Sequence, residues 1–161
     1  MNGQYSIKGY LYQSLVALLD SFETDWESVC VEPNDESEKV DIRWTYSDGR
    51  IVVVQVKSSK NTFNSSSIKK WAKELANSTP NASEYKLVLI GNIANNVDNK
   101  IENVIIENKN MSISDFQSII MQKIKLPLVF KPFKGLIRKM LADKIEETVI
   151  DLIEKGQEFI G

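Results

Sequence analysis

Asp41, Gln55 and Lys57 are the residues of this chain whose types and spacing could do chemistry. A carboxylate and a primary amide offer hard oxygen donors, the kind that Mg²⁺ accepts at about 2.1 Å while keeping several of its waters. An ammonium two residues beyond the amide can neutralise charge that develops on a phosphoryl oxygen. The three meet only if residues 39–60, KVDIRWTYSDGRIVVVQVKSSK, form two antiparallel strands in one particular register. A two-residue turn at Asp48-Gly49 pairs Ile42 with Gln55 and puts Val40, Ile42 and Trp44 on the face of Gln55 and Lys57, which mixes core with charge. A three-residue loop, Ser47-Asp48-Gly49 with Gly49 left-handed, closes instead on Tyr46 and Arg50. In that register Val40, Ile42 and Trp44 share a face with Val52, Val54 and Val56. Asp41 then stands opposite Gln55, with β-carbons about 5 Å apart, and Lys57 lies one diagonal step away at roughly 7 Å.

Composition narrows what such a site could do. The chain has 161 residues and no histidine, so imidazole acid–base chemistry, a Ser-His-Asp or Cys-His nucleophile and a His-ligated zinc are all excluded. Any hydrolysis must run on carboxylates, lysine and a hard metal. The single cysteine, Cys30, sits between two valines in a strand pattern and reads as a buried structural thiol. No apolar run approaches the ~20 residues that span a bilayer, and residues 1–10 lack the basic and apolar regions of a signal peptide, so a cytoplasmic protein without a membrane partner is expected. The net charge of −2 hides an uneven distribution. Residues 20–48 hold ten acids against Lys39 and Arg43, residues 57–73 hold five lysines and no acid, and residues 123–144 hold seven basic residues against Asp143. Blocks of this kind are either solvated faces or a phosphate-binding surface beside an acidic pocket.

The elements that must carry the hairpin follow from periodicity. Leu11, Leu15, Leu18, Leu19 and Phe22 predict an amphipathic helix over 9–22, with Gln13 off its apolar stripe. Residues 28–32 alternate and meet Pro33, predicting a short strand with Glu32 at its end. After the hairpin, Ile68, Trp71, Ala72 and Leu75 predict a helix capped by one of Ser65, Ser66 or Ser67. Residues 85–90 predict a buried strand and 103–107 a shorter one. Ser112 or Ser114 caps a further helix, interrupted at Leu126-Pro127 and Lys131-Pro132, and a long amphipathic helix is expected over about 135–158. The order is αβββαβ followed by C-terminal helices: an α/β fold with a restriction-endonuclease-like core, a mixed central sheet and flanking helices. Residues 1–110 are expected to form that core and 111–161 a helical extension of the same domain.

An acid on one strand facing Gln-x-Lys on the next resembles the PD-(D/E)xK nuclease signature, with Gln55 where that family more often has Glu. Gly9-Tyr10-Leu11-Tyr12-Gln13 and Val54-Gln55-Val56-Lys57-Ser58-Ser59, in this order and spacing, are similar to the N-terminal double-stranded DNA endonuclease domain of CD-NTase-associated anti-phage effectors. The resemblance covers about residues 7–110. It implies Asp41 and Gln55 as ligands of Mg²⁺ or Mn²⁺ and Lys57 as the group that orients or activates the attacking water. A neutral amide binds Mg²⁺ less strongly than a carboxylate, so a second acid would help, and Glu32 is nearest by strand order. Gln13, Ser58, Lys60, Lys69, Lys70 and Lys73 are the expected nucleic-acid contacts. Bland alternatives stand beside several of these: an exposed helix amide for Gln13, a solvated strand end for Glu32 and a solvated helix face for Lys69, Lys70 and Lys73. Trp44 and Trp71 read as core. Family members carry a sensor domain after the nuclease, so a sensor domain or a partner protein is implied, and the C-terminal helix is a candidate surface for a homo-oligomer. The competing class is a non-catalytic module of the same fold for nucleic-acid binding or assembly, and cleavage of RNA rather than DNA stays open.

Overall fold

The computed structural model describes residues 3–23, 25–31, 33 and 39–125. Nine elements follow one another: α1 (Gly3–Asp20), β1 (Trp26–Val31), β2 (Ile42–Tyr46), β3 (Ile51–Ser58), α2 (Ser65–Ala76), β4 (Glu84–Ile90), β5 (Lys100–Ile101), β6 (Val104–Asn108) and α3 (Ile113–Lys125). This is the expected α/β class with its αβββαβ order. Among the described strands one six-stranded mixed sheet runs β1-β2-β3-β4-β6-β5. β1, β2 and β3 are antiparallel neighbours, β3, β4 and β6 run parallel, and β5 pairs antiparallel with β6. Glu32, the loop at 34–38, the breaks at 126–127 and 131–132 and the helix expected over 135–158 lie outside the described residues.

The chain forms two compact units, one of residues 1–22 with 112–161 and one of residues 23–111. The second unit holds the sheet and α2. A parallel pair cannot be closed by a tight turn, and α2 supplies the crossover from β3 to β4. Ile68, Ala72 and Leu75 lie four and three residues apart, so they share one helical face. All three are fully buried, in a cluster with Val53 of β3, Tyr85, Leu87 and Leu89 of β4, and Val104 and Ile106 of β6. The cap lies one residue before the expected serines: Asn64 is extended, and its side-chain oxygen accepts the Ser67 N–H at 2.8 Å and the Ser66 hydroxyl at 2.8 Å. Asparagine caps as well as serine because its short acceptor reaches the orphan amides of the first turn.

In the first unit α1 begins at Gly3, six residues earlier than periodicity suggested, and ends at Asp20. Tyr12 packs its ring edge-on to Phe116 of α3, with centroids 6.2 Å apart. Burial raises the Tyr12 hydroxyl above its ordinary pKa. α3 is capped reciprocally: the Asp115 N–H donates to Ser112 Oγ at 3.1 Å and the Ser112 N–H donates to the Asp115 carboxylate at 2.9 Å, so Ser112, not Ser114, is the cap.

Two departures concern the sheet. The short strand β5 was not legible, being only Lys100 and Ile101 before a turn in which Glu102 has φ +53°. β1 starts at Trp26, two residues early, and its residues 27–29 are exposed, Val29 among them.

Two stability measurements follow. Gly91 has φ +144°, and a β-carbon there would stand 2.6 Å from the Ser59 carbonyl oxygen, whereas Gly49 has φ +90° and open space around it. Gly49→Ala is expected to cost about 1 kcal/mol and Gly91→Ala more than that in urea unfolding, because only the second adds a backbone collision to the strain. Glu107 lies between Lys86 at 3.4 Å and Lys109 at 2.8 Å. Burial alone would raise its pKa, but the Lys109 hydrogen bond and the charges of Lys86 and Lys109 outweigh it and hold the carboxyl below its ordinary 4.5. A depressed folded value stabilises above the unfolded pKa and is lost as pH falls through the folded one. The stability gap between wild type and Glu107→Gln should therefore be full near neutrality and close as pH falls below about 4.5, read by thermal unfolding across that range.

Candidate active site

The hairpin closes as its side-chain pattern requires. The Tyr46 N–H donates to the Arg50 carbonyl at 2.9 Å, the Gly49 N–H donates to the Tyr46 carbonyl at 2.9 Å, and Gly49 is left-handed. Asp48 accepts from the Arg50 amide at 3.0 Å and from the Arg50 guanidinium at 2.9 Å, and those bonds hold its carboxyl below its ordinary pKa. The ladder pairs Thr45 with Ile51, Trp44 with Val52, Arg43 with Val53 and Ile42 with Val54. That is the three-residue-loop register.

The register stops at Ile42. A regular ladder would pair Asp41 with Gln55, but the Asp41 N–H donates to the Val54 carbonyl at 2.9 Å and the Asp41 carboxylate accepts the Val56 N–H at 2.8 Å. The side chain has taken the place of a backbone acceptor, as happens where a bulge interrupts pairing. The alternation of faces breaks at the same point. Val40 was expected beside Val52 and Val54; it lies instead in the cluster of Val53, Leu75 and Leu87, while Ile42 and Trp44 keep their places in the ladder. The two bonds of Asp41 bracket Gln55, one to the residue before it and one to the residue after.

Gln55 is only 3% exposed, and its side-chain oxygen has no hydrogen-bond partner. An acceptor buried without a donor costs about 1–3 kcal/mol, and a cation beside it would remove that cost. Asp41, 8% exposed, places a second buried oxygen ligand next to the same stretch of β3. The pair fits a hard cation in donor type. Among the described residues no group of three acidic, cysteine or histidine side chains gathers to hold one, and Glu32 lies outside those residues.

Lys57 continues the face of Gln55 along β3, opposite Leu89 of β4. Its ammonium lies 5.1 Å from the centroid of the Trp71 ring. It opens onto a cleft of about 330 Å³ lined by Ser58, Ser59, Thr62, Phe63, Asn64, Ser67 and Trp71. Apart from Lys57 the lining is uncharged, and it includes Asn64 and Ser67 at the first turn of α2, where the helix dipole favours an anion. The loop that forms it is tied to the end of β4: the Ser59 N–H donates to Ile90 O at 3.2 Å, the Phe63 N–H to Asn92 O at 2.9 Å and the Ala94 N–H to Phe63 O at 2.9 Å. Gly91 is what lets the Ser59 carbonyl approach. A larger cleft of about 580 Å³ is lined by Arg43, Thr45, Ile51 and residues 78–81, and none of the expected site residues reaches it.

The chain matches no known family and no curated protein. Among solved structures it is similar to the Moraxella osloensis Cap4 SAVED/CARF-domain containing receptor, at 14% identity and a TM-score of 0.53 over 89% of this chain. The likeness is one of fold. The chain spans 43% of the length of that receptor.

The structure thus brings Asp41, Gln55, Lys57 and Ser58 to one end of the hairpin. Lys60, Lys69, Lys70 and Lys73 are exposed, the last three on α2, and none of the four lines the cleft. Gln13 lies on α1 in the other unit, half-buried, with its side-chain oxygen buried and unpartnered, and is not the exposed amide of the bland reading. Thr62, Asn64, Ser67 and Trp71 were not foreseen as site residues. The only sequence signal for them was a polar run between strand and helix, which marks a loop but not where it folds. Removing the Asp41 carboxylate leaves the buried Val56 N–H without an acceptor, so Asp41→Ala is expected to destabilise by about 1–3 kcal/mol, and Asp41→Asn, which keeps an oxygen in place, by clearly less. Urea unfolding of the two variants checks this.

Proposed function

We propose that this chain is a metal-dependent endonuclease that hydrolyses phosphodiester bonds of DNA, and that it serves as an effector in anti-phage defence. The observation that supports the reading most directly is the buried, unpartnered side-chain oxygen of Gln55, on a stretch of β3 whose next amide, that of Val56, donates to the Asp41 carboxylate, two residues before a lysine that opens onto a polar cleft. The fold shared with a Cap4 receptor agrees with the resemblance of the Gly9–Gln13 and Val54–Ser59 motifs to CD-NTase-associated effectors. Because the chain spans less than half of that receptor, a sensor domain or a partner protein would supply the activating signal.

Asp41 and Gln55 would hold Mg²⁺ or Mn²⁺. Bound there, the metal would supply Lewis-acid polarisation of the phosphoryl oxygen. Lys57 places a positive charge at the mouth of the cleft, where it opposes the negative charge that gathers on phosphate oxygens as water attacks. In the hydrolysis the water oxygen forms a bond to phosphorus and one ester P–O bond breaks. The departing oxygen takes up a proton, and the water gives one up, leaving a phosphate monoester end and a hydroxyl end. The α2 N-terminus, through its dipole and the Ser67 hydroxyl, suits a neighbouring phosphate. Lys69, Lys70 and Lys73 would add a longer-range attraction to the duplex backbone.

A second reading, a non-catalytic nucleic-acid-binding or assembly module of the same fold, draws on one observation: Gln55 is neutral, and among the described residues no group of three acidic, cysteine or histidine side chains gathers to hold a metal. A plasmid-nicking assay separates the two. Wild type should nick with Mg²⁺ or Mn²⁺ and stop in EDTA; Asp41→Asn should lose metal binding and cleavage, and Lys57→Ala should keep metal binding and lose cleavage. Gln55→Glu should stay active and tighten Mg²⁺ by on the order of 1 kcal/mol, the scale of a charged over a neutral partner. Binding without cleavage under every metal condition would favour the module. Affinity should also fall steeply with salt, and reversal of Lys69, Lys70 and Lys73 to Glu should lower it more than reversal of Lys144; equal effects would place the DNA elsewhere.

A further inference from the structure

We infer that Trp71 is a positioning residue for Lys57, holding its ammonium at the cleft through a cation–π contact; the inference rests on the proposed hydrolytic role of Lys57. The sequence places Trp71 among the apolar residues of α2, and core packing would account for an indole there. The structure shows a different partner. The Lys57 ammonium lies 5.1 Å from the ring centroid, inside the roughly 6 Å range in which the face of an indole attracts a cation. Among the described residues that ammonium makes no ion pair.

The choice of partner has a chemical consequence. A carboxylate would also hold the lysine, but it would neutralise the charge that a phosphate needs to meet. An aromatic face restrains the flexible stem and leaves the positive charge directed outward. The other side chains of the cleft are hydroxyls, one amide and one phenyl ring, so no neighbouring charge competes for the ammonium there.

Trp71 is itself held. It lies between Ile68 and Leu75, both fully buried, and is packed half-buried against the cluster under α2. Its ring meets Phe63 edge to face, with centroids 5.8 Å apart and planes 82° apart. Phe63 is 5% exposed and pinned through its own N–H and carbonyl to Asn92 and Ala94. A continuous set of contacts therefore runs from the end of β4 through Phe63 and Trp71 to Lys57. An unsupported lysine would sample many rotamers, and reactions that need a positioned charge lose rate when it wanders.

The test uses the full chain with Trp71→Leu and Trp71→Phe, each checked for folding by thermal unfolding. Isotope-labelled lysine reports the contact without any need for activity. The Lys57 ε-protons should be shifted upfield by the ring current in wild type, move to the position of the other lysines in Trp71→Leu and stay partly shifted in Trp71→Phe. In single-turnover cleavage, Trp71→Leu should be slower by roughly five- to tenfold at unchanged DNA affinity, with Trp71→Phe recovering most of the rate. An unshifted Lys57 in wild type overturns the inference, even if Trp71→Leu does not fold. So does a folded Trp71→Leu that cleaves at the wild-type rate. A wild type that shows the shift but does not cleave supports the contact and overturns the hydrolytic reading instead.

Discussion

The bond from the Val56 amide to the Asp41 carboxylate governs this site, because it decides where the β2–β3 ladder ends. Backbone amides inside a sheet must be paired, and the amide of Val56 is buried. By filling that need with a side chain, Asp41 releases the chain before it from the regular alternation of the hairpin. Val40 then turns to the α2 side of the sheet. The carboxylate becomes a fixed part of β3's edge next to Gln55, so its position is set by backbone geometry and not by a free rotamer. A carboxylate held this way is pre-organised for the ligand role proposed for it, and the same bond makes it structural.

Under that edge the apolar layer does the positioning. Val53, Leu87, Leu89 and the buried face of α2 form one packed surface, and β3 carries its polar residues off the end of it. Gln55 still lies within the buried region and Lys57 at its boundary. The gradient from dry to wet along two residues of one strand suits the roles proposed for them. A ligand oxygen gains from a low dielectric that strengthens its hold on a cation, while an ammonium must reach solvent to meet an incoming phosphate.

The parallel run of β3, β4 and β6 also determines which loops can meet at that boundary. The carboxyl ends of parallel strands lie on one edge, which is where open α/β sheets commonly bind ligands. Here the loop after β3 is tied to the turn after β4 through Ser59, Phe63 and Gly91. The cleft is the product of that lacing, so a change at Gly91 reaches the site without touching a polar residue in it.

Local patterning determined much of this protein by itself. The alternation of Ile42 to Trp44 and Ile51 to Val54 around Ser47-Asp48-Gly49 was enough to choose the loop and the register, because a slip of one residue would bury charge and expose core. The 3.6-residue spacing of Ile68, Ala72 and Leu75 likewise determined the face α2 buries, and the order of elements followed from the turns between them. Tertiary structure decided the rest. No local pattern says that Asp41 bonds the Val56 amide, since a side chain replacing a backbone acceptor depends on geometry fifteen residues away in sequence. The cap at Asn64 in place of a serine, the two-residue strand β5 and the meeting of Trp71 with Lys57 are of the same kind. Short-range chemistry allowed several answers at each, and the packing of β3, β4 and α2 around one apolar layer selected among them.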